Sequence, residues 1–190
     1  MKSTHDALVA AALSCGASAA AIIDTESIET DPIFRKMCEA NDCGMYGKCY
    51  MCPPDVGKVE DLIAELYGYA HVLVYQCVFP LEDSFDVEGM DEARRAMHRL
   101  SRKLRAHLDA RGIKALHLNA GGCGVCKTCA KRTELPCPTP TLATPSLEAY
   151  CINVASLAAS AGMRYNNGER TVTYFGAVLF TKDEKEDSSC

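Results

Sequence analysis

The chain has no tryptophan among its 190 residues, an absence that excludes little. The lack of a basic run says more. Lys and Arg never extend beyond isolated pairs, and no basic strip is interleaved with aromatics. With a formal charge of −5 and a pI near 5.5, this argues against nucleic acid as the main partner. A convincing membrane span is missing too. Residues 7 to 23 are nearly free of charge, but they are Ala-rich and broken at Cys15-Gly16, so they read as a helix followed by a buried strand. Lys2 and Asp6 make a poor positive leading segment, so Leu13-Ser14-Cys15-Gly16 is not read as a lipoprotein cleavage site. There is no phosphate loop, no dinucleotide fingerprint and no nucleophile–His–acid pattern, hence no support for an independent substrate pocket. No repeat occurs at solenoid period.

What is present in excess is cysteine: twelve residues. Secreted disulfide scaffolds are usually short and loop-rich, whereas this chain is 48% hydrophobic and carries several good helices and strands. Most of the cysteines also cluster in two runs with metal-type spacing, which favours thiolate ligands in a reducing compartment. A cytoplasmic location is therefore expected.

The second run, Gly121 to Pro138, places Cys123, Cys126 and Cys129 at x2 intervals and adds Cys137 directly before a proline. Three thiols at that spacing reach three corners of a cubane iron–sulfur cluster, and a fourth Cys completes the set. Here Cys137 follows after seven residues, so the ferredoxin pattern is met in its triplet and not in its tail. Glycines 121, 122 and 124 free the backbone to aim amide hydrogens at sulfur, and Lys127, Lys131 and Arg132 offset thiolate charge.

The first run holds Cys38, Cys43, Cys49 and Cys52 at x4, x5 and x2 intervals and also ends in Cys-Pro. Its four thiols can form a complete ligand set. Alternatively, Cys52 and Cys137 exchange between the two triplets. The expectation is one [4Fe-4S] cluster at 123–137, a second metal centre at 38–52, and electron transfer with a redox partner protein. A structural zinc site is the rival, giving a binding module without redox chemistry. A third reading is an iron–sulfur enzyme with an open iron position and Cys137 or Cys151 as its variable ligand. Nothing assigns an oligomeric state.

The other elements follow from periodicity. Ser3 caps a first helix bearing Leu8, Ala11, Ala12 and Cys15, which Gly16 ends; Ala20 to Ile23 is a buried strand. Residues 25 to 54 form a long loop. Asp55 caps a helix with Val59, Leu62, Ile63 and Leu66 on one face, and His71 to Phe79 is a strand with Cys77 in the core and His71 at its edge. Residues 82 to 92 read as an acidic linker.

From Asp91 to Arg111 a long helix shows an apolar stripe of Ala93, Met97, Leu100, Leu104 and Leu108. Its Arg94, Arg95, Arg99, Arg102, Lys103 and Arg105, with His98 and His107, read as a solvated face; docking of an acidic redox partner is the alternative. Ile113 to Leu118 is a third strand. Thr144-Pro145 starts a helix that runs through Cys151 to Gly162, and residues 163 to 180 close as a strand pair around Asn167-Gly168. The alternation predicts an α/β layered sandwich with a mostly parallel sheet and two cysteine-rich metal-binding loops. It forms a single domain over 1–181, with a disordered charged tail over 182–190 that ends in a free Cys190.

Four stretches together carry a family resemblance: Cys-Gly-Met-Tyr-Gly-Lys-Cys-Tyr-Met-Cys-Pro-Pro (43 to 54), Cys-Gly-Val-Cys-Lys-Thr-Cys (123 to 129), Pro-Cys-Pro (136 to 138) and Pro-Ser-Leu-Glu-Ala-Tyr-Cys (145 to 151). Their combination resembles a prokaryotic family of predicted metal-binding proteins with a domain of unknown function, and the likeness covers nearly the whole chain. It brings no established reaction. It does imply a ligand role for Cys151, beside the core role that a helix position suggests. Tyr150 stands as one extra residue before that cysteine relative to the family pattern.

Overall fold

The computed structural model describes residues 4–181; Ser3 and the 182–190 tail with Cys190 lie outside them. Helix α1 (Thr4–Ser14) buries Leu8, Ala11 and Ala12, the residues its period selects. Strand β1 (Ala19–Asp24) follows, then α2 (Ile33–Ala40), the first cysteine loop and α3 (Val59–Tyr67). Strand β2 (His71–Pro80), α4 (Val87–Asp109) and β3 (Ala115–Leu118) lead to the second cysteine loop. Helix α5 (Val154–Ser160) and strand β4 (Thr171–Phe180) complete the order.

The four strands form one sheet in the order β1-β2-β4-β3. Every neighbouring pair is antiparallel, which overturns the mostly parallel sheet. The alternation was not empty, however. Strands β2 and β3 both run against β4 and so run the same way, which makes β2–α4–β3 a parallel crossover. The last strand then slots between them, giving a split β-α-β arrangement. The helix-containing connections β1 to β2 and β3 to β4 join antiparallel strands, so helix–strand alternation alone does not give strand direction. Strands β1 and β2 are antiparallel for another reason: Asp24 pairs with His71, so the whole 25–70 excursion leaves and returns at one end of the sheet.

Both faces of the sheet are covered, as the side-chain period of 2 dictates. Val72, Val74, Phe175, Ala177 and Leu179 pack against α3, α5 and the 147–152 segment. Leu73, Tyr75, Val178 and Phe180 pack against α1 and α4, together with Cys77, a core thiol as expected. Met97, Leu104 and Leu108 of α4 are fully buried, each contributing on the order of 2 kcal/mol of apolar transfer.

Several boundaries differ from the periodicity reading. Residues 82–86 are irregular, but α4 already begins at Val87, where the Asp86 carboxylate accepts from the Gly89 amide at 2.8 Å. Helix α3 starts at Val59, with Asp55 lying outside it. The helix expected from 145 to 162 is broken. A short 3-10 turn covers Glu148–Tyr150, Cys151 takes a left-handed φ of 61°, and α5 starts only after Asn153, whose side chain accepts from Ser156 N at 3.2 Å. Residues 163–170 form no strand, and β4 pairs with β2 and β3 instead of closing a hairpin of its own. Helix α2 arises inside the long loop. Its Ile33 and Met37 face solvent and its buried residue is Arg35, so its short apolar stripe is not its buried face.

Candidate metal centre

The two cysteine loops face each other and interlock. In the first, Asn41 ends α2 in a left-handed conformation and its side-chain oxygen accepts from Tyr46 N at 2.9 Å, turning the chain toward Cys43 and Cys49. From the second loop, Lys131 pairs with Asp55 at 2.6 Å and lies over the Tyr50 ring, 5.5 Å from its centroid. Tyr50 donates its hydroxyl to the Leu135 carbonyl at 2.9 Å, and Arg132 contacts the Met45 sulfur at 3.9 Å. Gly122 sits where the loops meet; a Cβ there would stand 3.2 Å from Met45 Cε and 3.7 Å from Cys52 Sγ. The 145–152 segment joins the stretch before α2 to the end of β3, because Thr30 bridges Ile152 and Asn119 bridges Ser146.

Between the loops lies a cavity of about 500 Å³. Six thiols line it: Cys43 and Cys49 from the first loop, and Cys123, Cys126, Cys129 and Cys137 from the second. The candidate residues thus divide across the loops. Cys52 is buried behind Gly122, its free thiol hydrogen-bonded to that of Cys49. Cys38, half-buried at the end of α2, and the fully buried Cys151 lie outside the cavity wall; they feel each other's charge and that of Arg35. Arg35 ties the two segments, donating to Ala149 O at 3.1 Å and to Gly57 O at 2.7 Å. Among the described residues, no three Cys, His, Asp or Glu side chains meet closely enough to hold a single metal ion.

Electrostatics distinguishes the thiols. The Cys49 thiol is brought down, first by the hydrogen bond with Cys52, then by the Cys123 and Met51 amides and the Cys129 thiol, against burial. Cys52 is pushed up, first by that same bond and then by burial. A thiolate is the form that binds metal. Burial raises Cys123, opposed by the Thr144 amide, which donates to its sulfur at 3.5 Å, and by the Val125 amide. Burial likewise raises Cys38 and Cys151.

The floor of the second loop is α4, and here the solvated-face reading needs correction. Arg95, Arg99, Arg102 and Lys103 are exposed, but Arg94 lines the cavity and His98 is 4% exposed. Arg102 reaches the Gly124 carbonyl at 3.4 Å, and Arg105 donates to the Thr141 carbonyl at 2.7 Å. The His98 ring packs on Gly124, whose φ is 64° and whose added Cβ would fall 2.8 Å from ring atoms. Only glycine satisfies both demands at that position. Asn119 accepts from Ala120 N through its carbonyl oxygen, so its amide nitrogen donates to His98 Nδ1 at 3.1 Å and the ring proton sits on Nε2. Burial first, then Arg94 and Arg102, push His98 down to about 4, so the ring is neutral. The spacing 94, 98, 102, 105 was the available signal: a polar stripe at helical period beside the apolar one.

Taken together, an antiparallel split β-α-β sheet and a two-walled cavity lined by cysteines define the class: a cysteine-rich α/β protein. The chain belongs to the family described as predicted metal-binding protein (DUF2284), whose model matches residues 21–180. No curated protein and no solved structure matches it. Among the described residues, no helix is long and apolar enough to cross a membrane.

Proposed function

We propose that this protein is a cytoplasmic iron–sulfur protein that passes electrons to or from a partner protein. The observation that carries this reading is the six-thiol cavity shared by two interlocked loops. Its six cysteines line a shared volume, and among the described residues no three meet closely enough for one ion, which suits a cluster with separated corners better. Cys123, Cys126, Cys129 and Cys137 hold a [4Fe-4S] cluster on the second wall. A second metal centre draws on Cys43 and Cys49 of the first wall and on Cys38, Cys52 and Cys151 behind it. A bound cluster supplies one-electron transfer.

The chain's own residues set the conditions for that transfer. The hydrogen bond with Cys52 brings the Cys49 thiol down, which favours the form that binds metal, and the Thr144 amide points at the Cys123 sulfur. Arg94 and Arg132 line the cavity and offset thiolate charge. Cys43 and Cys126 are exposed, so the cavity opens to the surface where a partner can dock.

Anaerobic purification, with iron, labile sulfide and zinc analysis beside absorption and EPR spectra, tests the reading. The expected protein is brown, with iron and sulfide in equal amounts. Stoichiometric zinc without sulfide would replace the reading with a zinc-stabilised binding module.

A further inference from the structure

Arg105 lies on the turn of α4 that faces residues 139–144, just beyond Pro138. Its guanidinium forks. Nη1 donates to the Thr141 carbonyl at 2.7 Å, and Nη2 donates to Thr144 Oγ1 at 3.2 Å. The same threonine hydroxyl donates onward to the Leu142 carbonyl at 3.0 Å. Thr144, 6% exposed, is therefore pinned from within its own turn and from the helix below. On its other side, Asn119 N donates to the Pro145 carbonyl at 2.9 Å, tying the turn to the end of β3. The product of this bracing is the Thr144 backbone amide, which donates to Cys123 Sγ at 3.5 Å.

We propose that Arg105 is a positioning residue of the metal centre: through Thr144 it aims an amide hydrogen at the Cys123 sulfur, and its charge offsets that of the thiolate. The inference rests on the iron–sulfur reading and deepens it. Hydrogen bonds to cluster sulfurs and nearby positive charge both favour the more negative, reduced state, so both raise the reduction potential. Half-buried Arg105 lies close enough to Cys123 for the two charges to be felt. Lysine keeps the charge but cannot hold a carbonyl and a hydroxyl with one rigid fork.

The test compares anaerobic wild-type protein with Arg105→Met, Arg105→Lys, Thr144→Val, Thr144→Ser and the Arg105→Met/Thr144→Val double variant. Iron and sulfide content and the midpoint potential from a spectroelectrochemical titration are read for each. Arg105→Met is expected to shift the potential negative, Arg105→Lys to lie between it and wild type, and Thr144→Ser to match wild type. Thr144→Val is expected to shift negative, with the double variant falling short of the sum. Wild-type potential in Arg105→Met at full iron and sulfide content overturns the proposal. Should Arg105→Met not fold, unchanged potentials in both Arg105→Lys and Thr144→Val overturn it. If the wild-type protein holds zinc and no sulfide, the iron–sulfur reading falls, and zinc release to a chromogenic chelator becomes the readout. Faster release from Arg105→Met and Thr144→Val then sustains the positioning role, and equal rates overturn it.

Discussion

Two buried histidines flank the thiol loop and the sheet, and both are held neutral. Burial, the larger cause, with Arg94 and Arg102 brings His98 down to about 4; burial and then Arg105 bring His117 to about 3. Their folded values lie below the unfolded value near 6.5, so the unfolded chain binds more protons below that pH. Stability therefore falls as pH drops from about 6.5 toward 4, by about 1.4 kcal/mol per unit for each histidine. Denaturant unfolding across that range should show the slope, and His117→Asn should remove about half of it; an unchanged slope contradicts the account.

At the same scale, Gly124→Ala is expected to cost about 1–3 kcal/mol, from strain at positive φ plus contact with His98. His98→Ala removes the contact and not the φ, so the pair of substitutions should be non-additive in a thermodynamic cycle. The thiols themselves separate by place. Cys126→Ala should lose metal, whereas Cys77→Ala, in the core between α4 and the sheet, should keep it.

Among the elements, those with a clean period were legible: β2, α3 and α4 show the burial that their sequences predict. What failed did so for physical reasons. Helix α2 sets Ile33, Phe34, Met37 and Cys38 at helical spacing but exposes Ile33 and Met37 and buries Arg35, so its apolar pattern does not mark its buried face. The 145–162 stretch reads as one helix because Leu147, Val154 and Leu157 keep a helical spacing. The true break is local: Cys151 turns left-handed, and Asn153 recaps the chain. Asn153 is the kind of residue that starts a helix, so Asn153→Ala should lower stability by about 1 kcal/mol without changing metal content. Denaturant midpoints at matched metal loading check this. The polar stripe of α4 was visible in its spacing, but only the fold shows that it supports the second loop instead of facing water.

For the whole molecule, the direction of the sheet was not legible, because inserting β4 between β2 and β3 is a non-local pairing. The site was legible in its ingredients and not in its partition. Spacing alone divides the cysteines by loop, while the fold sends Cys43 and Cys49 to one cavity with the second loop and leaves Cys38, Cys52 and Cys151 behind it. The interlock through Asp55–Lys131 and Tyr50–Leu135 makes the two loops a single unit. The most direct measurement is iron, labile sulfide and zinc per chain in anaerobically purified wild-type protein and Cys126→Ala. The account predicts iron and sulfide in equal amounts in the wild type and a loss of both in the variant. Zinc without sulfide, or full iron retained by Cys126→Ala, would contradict it.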